Sequence, residues 1–282
     1  MIVSTSDSQT VAAALAEATG DSLAEVAYER FPDGELLVEV PPVSGRAVVV
    51  GSTVSSDAHL ELLLLQDAVR EAGADEVVTV LPYMGYARQD AAFREGQPIS
   101  ARAVARAIST STDRVVAVNL HEPVIADFFD VPVAAVDAAG VLADPLPAAL
   151  ESPVFLSPDE GAIDLAETVR DAHGDGAVDY FAKDREYDTG EVTITPSEVD
   201  VSGRDVVVVD DIVATGSTMS EAIAILQERG PNRVFVATVH PLFVGNARSK
   251  LANAGVEAVF GTDTIERAVS RTSVAPVVAE VL

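Results

Sequence analysis

Short, valine-rich apolar runs recur along this chain, each separated from the next by a stretch of helical periodicity. That alternation restricts the fold more than any other feature. The runs cover residues 2–3, 47–51, 77–81, 115–119, 154–156, 178–181, 206–209, 234–239 and 256–260. Several are apolar at every position, which suits strands buried on both faces of a parallel sheet. Between them the spacing predicts helices over residues 8–19, 57–72, 100–109, 161–172, 218–229 and 246–254. Ser8 and Asp57 stand where N-caps belong, and Gly20, Gly73, Gly174, Gly230 and Gly255 where helices close. Strands and helices in this order predict doubly wound α/β layers.

Nine strands are many for one open sheet, and 282 residues are enough for two domains. The stretch 138–153 carries three prolines and little periodicity, so the seam is expected there. The expected architecture is two tandem, doubly wound parallel-sheet domains, residues 1–142 and 143–282. Each half contains a strand that runs into a polar loop and then a helix, at 77–90 and at 206–218. This correspondence suggests duplicated halves.

Charge narrows the function classes. The chain has 45 acidic and 18 basic residues, a formal net charge of −27, and no cysteine. Disulfides, thiolate metal sites and cysteine nucleophiles are therefore excluded. Nucleic-acid binding is disfavoured, because neutralising phosphates needs a basic face. No apolar run approaches the ~18–20 residues of a membrane helix, and residues 1–9 lack the basic and apolar regions of a signal peptide. The expectation is a soluble, cytoplasmic protein without a membrane partner. Only two of the 18 basic residues are lysines, Lys183 and Lys250. Acid excess with lysine scarcity matches a surface adapted to molar salt, where screening relieves carboxylate repulsion. A halophilic source is expected.

Four segments carry chemistry. In VVVVDDIVATGST (206–218) a buried strand delivers Asp210 and Asp211 to its C-terminal end, where open α/β sheets bind ligands. Thr215, Gly216, Ser217 and Thr218 then form a small-residue loop at a helix start, a cradle for phosphate. The two acids suit ribose hydroxyls or a Mg²⁺ held beside them. In a chain this acidic, the cluster Arg88, Arg94, Arg102 and Arg106 implies an anion. Arg102 and Arg106, spaced i,i+4, also read as a solvated helix face. Lys183 and Arg185, just after the strand 178–181, sit in a polar loop able to close over a transferring diphosphoryl group. FPDGE (31–35) offers a ring and two carboxylates to a purine, and reads equally as a β-turn with Pro at its second position.

The 206–218 element resembles the phosphoribosyl-diphosphate (PRPP) loop of type I phosphoribosyltransferases and ribose-phosphate diphosphokinases. Over nearly the whole chain the motifs follow the diphosphokinase order. Phe31, Asp33 and Glu35 resemble the adenine-binding segment, which in that family a neighbouring subunit lends, implying a homo-oligomer of at least two chains. Arg88, Gln89 and Asp90 resemble the ATP-contacting YARQD. NLHEP (119–123) places His121 near Mg²⁺ and the phosphates, and SPDEG (157–161) places Asp159 near the metal and the ribose phosphate. Lys183 and Arg185 resemble the catalytic loop. Three departures stand out: Asn119 where the family often has Asp, Ala91–Ala92 where it is often basic, and Ser217 where Ala or Gly is expected. The resemblance implies an ATP-binding first domain and a ribose-5-phosphate-binding second domain. The reaction would transfer the β,γ-diphosphoryl group of ATP to the 1-hydroxyl of ribose 5-phosphate, with Mg²⁺ as cofactor. A PRPP-consuming phosphoribosyltransferase and a non-catalytic regulatory subunit are the alternatives.

Overall fold

The computed structural model describes residues 1–185, 192–195 and 198–282, with side chains left aside at 182–185 and 192–195. The chain forms two compact units, residues 1–137 with 263–266 and 273–282, and residues 138–262 with 267–272. The expected boundary at 142/143 differs in two respects. A short 3-10 turn at Ala139–Ala143 packs on a helix of the second unit, and the tail returns to the first.

In the first unit, β1 (Ile2–Ser4), β4 (Gly45–Val50), β5 (Ala74–Leu81), β6 (Arg114–Val118) and β7 (Val133–Val136) form an all-parallel sheet in that spatial order. Between β1 and β4 come α1 (Gln9–Thr19) and an antiparallel hairpin of β2 (Ala27–Arg30) and β3 (Leu36–Glu39). Helices α2 (Ser56–Glu71) and α3 (Ser100–Ile108) follow β4 and β5. The core joins Val3, Val49 and Leu81 of the sheet to Leu62 and Leu65 of α2.

In the second unit, β8 (Val154–Ser157), α4 (Ile163–His173), β9 (Ala177–Tyr180) and a hairpin of β10 (Ala182–Arg185) and β11 (Val192–Thr195) precede β12 (Asp205–Ile212). There follow α5 (Ser217–Glu228), β13 (Arg233–His240), α6 (Ala247–Asn253), β14 (Ala258–Thr262) and β15 (Ser270–Thr272), with α7 (Ala275–Ala279) back in the first unit. Its parallel sheet runs β15-β14-β13-β12-β8-β9, so the strand order reverses between β8 and β12. Val206 to Val209 are fully buried, as their uninterrupted apolar run requires.

The two units share one plan: β1-β4-β5-β6-β7 matches β8-β12-β13-β14-β15, each with a hairpin in the first crossover. The counterpart of β9 shrinks in the first unit to a single parallel bridge, Ile2 to Leu23. This alignment corrects the expected correspondence by one strand. The counterpart of β12 and its loop is β4 with residues 51–55, and residues 77–90 correspond to β13 and its loop. Both expected segments are apolar strands leading into polar loops, and pairing order alone tells them apart.

Caps differ from expectation in detail. Ser55 caps α2, its Oγ accepting from Ala58 N at 3.1 Å, while Asp57 lies in the first turn. Ser8 stands at the α1 cap position, but its Oγ accepts from Ser52 N at 3.0 Å instead.

Asp205, fully buried at the start of β12, ties the lower edge of this sheet together. It accepts from Glu151 N at 2.7 Å, Asn232 Nδ2 at 2.9 Å and Arg233 Nε at 3.0 Å. Burial pushes its pKa up, but the bonds from Arg233, Glu151 and Asn232 prevail and hold it below the ordinary carboxylate range. A depressed folded-state pKa stabilises above the unfolded value and is lost as pH falls through the folded one. Asp205→Asn should therefore cost about 1–3 kcal/mol at neutral pH, and urea melts should show the gap closing in acid. An equal gap at all pH values would contradict this account.

Candidate active site

The second unit's reversal point gathers the expected sugar-phosphate residues. In a doubly wound sheet, the loops leaving two adjacent strands in opposite directions open a crevice beyond their C-terminal ends. Here those strands are β8, followed by Asp159, and β12, ending in Asp210 and Asp211. The strand runs further than expected, through Ile212, so both acids belong to its final residues, and Asp210 is registered with Thr238 of β13. Burial, then the carboxylates of Asp211 and Asp159, push Asp210 well above the ordinary carboxylate range. Three acids converging in this way favour a cation or sugar hydroxyls over an anion.

Beyond them the chain turns into α5. Gly216 is its N-cap with φ +68°, and a Cβ there would meet Ala247 O at 3.3 Å, so glycine serves both the left-handed turn and the close approach. Thr215 is exposed, and Ser217 and Thr218 are half-buried at the first helical positions. The four residues bring hydroxyls and the positive helix end together.

In the first unit, YMGYARQD leaves β5 and lies against the loop after β4. Gly85 N donates to Thr53 Oγ1 at 2.7 Å, and a Cβ on Gly85 would lie 2.1 Å from Thr53 O. No other residue fits at that distance. Thr53 was not anticipated from sequence; nothing in its own neighbourhood marks it as the prop of a distant loop. Arg88 is exposed, while Gln89 Oε1 accepts from Ser100 Oγ at 2.5 Å and Gln89 Nε2 donates to Pro98 O at 3.2 Å, bracing the start of α3. Asp90 is half-buried, and Arg94, Arg102 and Arg106 are exposed, the last two on the solvated face of α3. His121 is half-buried just past β6, after Asn119, which adopts φ +39° and donates from Nδ2 to Asp137 Oδ1 at 2.8 Å.

Phe31, Asp33 and Glu35 are all exposed at the tip of the β2–β3 hairpin. Gly34 N donates to Phe31 O at 2.8 Å, closing the expected β-turn. Lys183 and Arg185 were expected in a loop. Their backbone instead forms β10, paired antiparallel with β11 in the register Lys183 to Ile194 and Arg185 to Val192. The remainder of that expected segment, residues 186–191, lies outside the described residues.

Among the described residues, no three His, Asp or Glu side chains close around a metal by themselves. The acids at the end of β12 fit Mg²⁺ in its usual manner, through one or two carboxylates plus water and substrate phosphates. None of the described helices is long and apolar enough to cross a membrane.

Comparison with known proteins agrees with this geometry. Residues 1–111 match the N-terminal domain of ribose phosphate pyrophosphokinase, and residues 138–274 match the phosphoribosyl transferase domain. The ribose-phosphate pyrophosphokinase of Halobacterium salinarum is 65% identical, covering 100% of both chains. That of Methanopyrus kandleri is 42% identical over 99% of this chain and 97% of its own. The crystal structure of phosphoribosylpyrophosphate synthetase from Mycobacterium smegmatis superposes with a TM-score of 0.82 at 28% identity, covering 100% of this chain and 96% of that one. With both halves matched, in order and at full length, the chain belongs to the ribose-phosphate pyrophosphokinase family.

Proposed function

We propose that the chain is an active ribose-phosphate diphosphokinase, moving the β,γ-diphosphoryl group of ATP to the 1-hydroxyl of ribose 5-phosphate and releasing AMP and PRPP. One observation carries the reading: paired acids end a buried strand at the sheet's reversal point, directly before a hydroxyl-rich helix start. That element suits a phosphorylated sugar whose hydroxyls face Asp210 and Asp211 and whose 5-phosphate sits on Thr215, Gly216, Ser217 and Thr218. A phosphoribosyltransferase would need only this half, and nothing favours it over a chain matched in both.

The chain's own residues divide the work. Asp210 and Asp211 orient the sugar so that its 1-hydroxyl, not its 2- or 3-hydroxyl, is presented. Arg88 offsets phosphate charge on ATP; Asp90, on the same loop after β5, and His121, just past β6, are its further proposed contacts. Gln89 acts through the loop, holding it to α3. Asp159 and His121 are the residues that would contact Mg²⁺, with Asp210 and Asp211 able to add a carboxylate; the ion would supply positive charge to offset that of the phosphates. Lys183 and Arg185 stabilise the diphosphoryl group during transfer, when its charge spreads over the equatorial oxygens. Phe31, Asp33 and Glu35, exposed on a hairpin, are offered to the adenine of an ATP bound to a second copy, so the enzyme works as a homo-oligomer.

The test is AMP formation from ATP, ribose 5-phosphate and Mg²⁺ in molar KCl. AMP should form only with the sugar phosphate present, and its absence across metals and salts rejects the reading. Phe31→Ala should raise the ATP KM about tenfold, within the ~1–3 kcal/mol that stacking a base on an aromatic ring contributes. The ribose 5-phosphate KM should not move. A change in the sugar-phosphate KM alone would reassign the hairpin.

A further inference from the structure

Besides Lys183, the chain has one lysine, and it touches the sugar-phosphate loop. Lys250, half-buried on α6, places Nζ 2.6 Å from Ser217 Oγ. In a chain of net charge −27, no carboxylate among the described residues lies within ion-pair distance of it. The tight packing of Ala247 against Gly216 brings α6 close enough for this reach.

Two features of the contact call for an anion. Ser217 Oγ accepts from Lys250 and, more loosely, from Thr215 Oγ1 at 3.3 Å, so its lone pairs are occupied and its own O–H is left to donate. Moreover, an ammonium stands beside the positive N-terminal end of α5, where the helix dipole disfavours a cation. A dianionic phosphate in the loop reverses both costs at once. It takes the Ser217 proton in a hydrogen bond and faces the ammonium and the helix end together.

We propose that Lys250 belongs to the sugar-phosphate site as a positioning residue, polarising Ser217 and supplying the formal positive charge that residues 215–218 lack. The inference rests on the assignment of that loop to the 5-phosphate. It also explains why serine stands at 217 where a smaller residue would suffice for the turn: the hydroxyl couples the lysine to the ligand.

The experiment measures ribose 5-phosphate and ATP kinetics for Lys250→Met, Lys250→Arg and Thr218→Val, with calorimetric binding of ribose 5-phosphate. Lys250→Met should raise the ribose 5-phosphate KM and Kd about tenfold, the loss of one charge-assisted contact. Its kcat and ATP KM should stay within twofold, and Lys250→Arg should recover most of the binding. If Thr218→Val weakens the sugar phosphate while Lys250→Met leaves it unchanged, the loop assignment stands and the role of Lys250 is overturned. If neither variant moves it, the loop assignment itself fails. Should Lys250→Met not fold, Ser217→Ala takes its place, with a weakened ribose 5-phosphate Kd expected and an unchanged one overturning the coupling.

Discussion

Lys183→Ala should lower kcat by about 10²–10³, the range measured when one oriented donor is removed from a site of developing charge. At 1.36 kcal/mol per tenfold that is ~2.7–4 kcal/mol of transition-state stabilisation. The effect should fall on kcat rather than on binding. An interaction that matures only as the diphosphoryl group leaves AMP contributes nothing to the ground state, so the ribose 5-phosphate KM should hold. The melting temperature should hold too, because Lys183 lies on a two-stranded hairpin apart from the six-stranded sheet. Lys183→Arg keeps the charge but spreads it over a planar fork, and partial recovery is expected. Near-native turnover in Lys183→Ala would remove the hairpin from the mechanism. A fall in stability matching the fall in rate would make the residue structural.

The hairpin also shows where sequence reading runs out. A strand such as 206–209 announces itself because both of its faces are buried and every position is apolar. β10 (AKDR) and β2 (AYER) carry charges within four residues, because each pairs with a single neighbour outside the main sheets. Their strand character comes from the partner across the hairpin, which no local pattern reveals. The same holds for the duplicated plan. Residues 77–90 and 206–218 look alike locally, and only the pairing order shows that β12 matches β4.

The candidate site divides along similar lines. Asp210 to Thr218 was legible because strand, acids, loop and helix are contiguous. Thr53 and Lys250 act on loops 32 and 33 residues away in sequence, through Gly85 and Ser217. Lysine scarcity was the one signal that could have singled out Lys250. Its role needed the α5–α6 contact to be seen. The first unit's own reversal point, by contrast, is filled from within. Glu61 takes Ser6 N and Oγ, and Ser52 Oγ donates to Thr264 O at 2.5 Å. These polar groups of the first unit are thus taken up by its own side chains and backbone, whereas the 215–218 loop of the second is proposed to take a sugar phosphate.

Lowering KCl from 3 M to 0.1 M should depress the melting temperature by about 10–20 °C. Two carboxylates 8 Å apart in water repel by ~0.5 kcal/mol unscreened. Roughly 0.2 kcal/mol survives at 0.1 M, where the Debye length is ~10 Å, and under 0.05 at 1 M, where it is ~3 Å. With about as many uncompensated neighbours as the net charge of −27, the difference sums to ~5 kcal/mol. That is a large share of the ~5–15 kcal/mol by which domains are stable, and at ~2–4 °C per kcal/mol it gives the shift stated. Salt also weakens attractive pairs, but the exposed ones, such as Arg30–Asp57, contribute only ~0–1 kcal/mol each. Repulsion therefore decides the sign. Contacts at hydrogen-bond distance, such as Lys250 to Ser217 and the phosphate it faces, lie inside even the 1 M Debye length. The ribose 5-phosphate KM should thus rise far less with KCl than stability does. A melting temperature independent of KCl would leave the catalytic assignment untouched and remove the proposed halophilic adaptation.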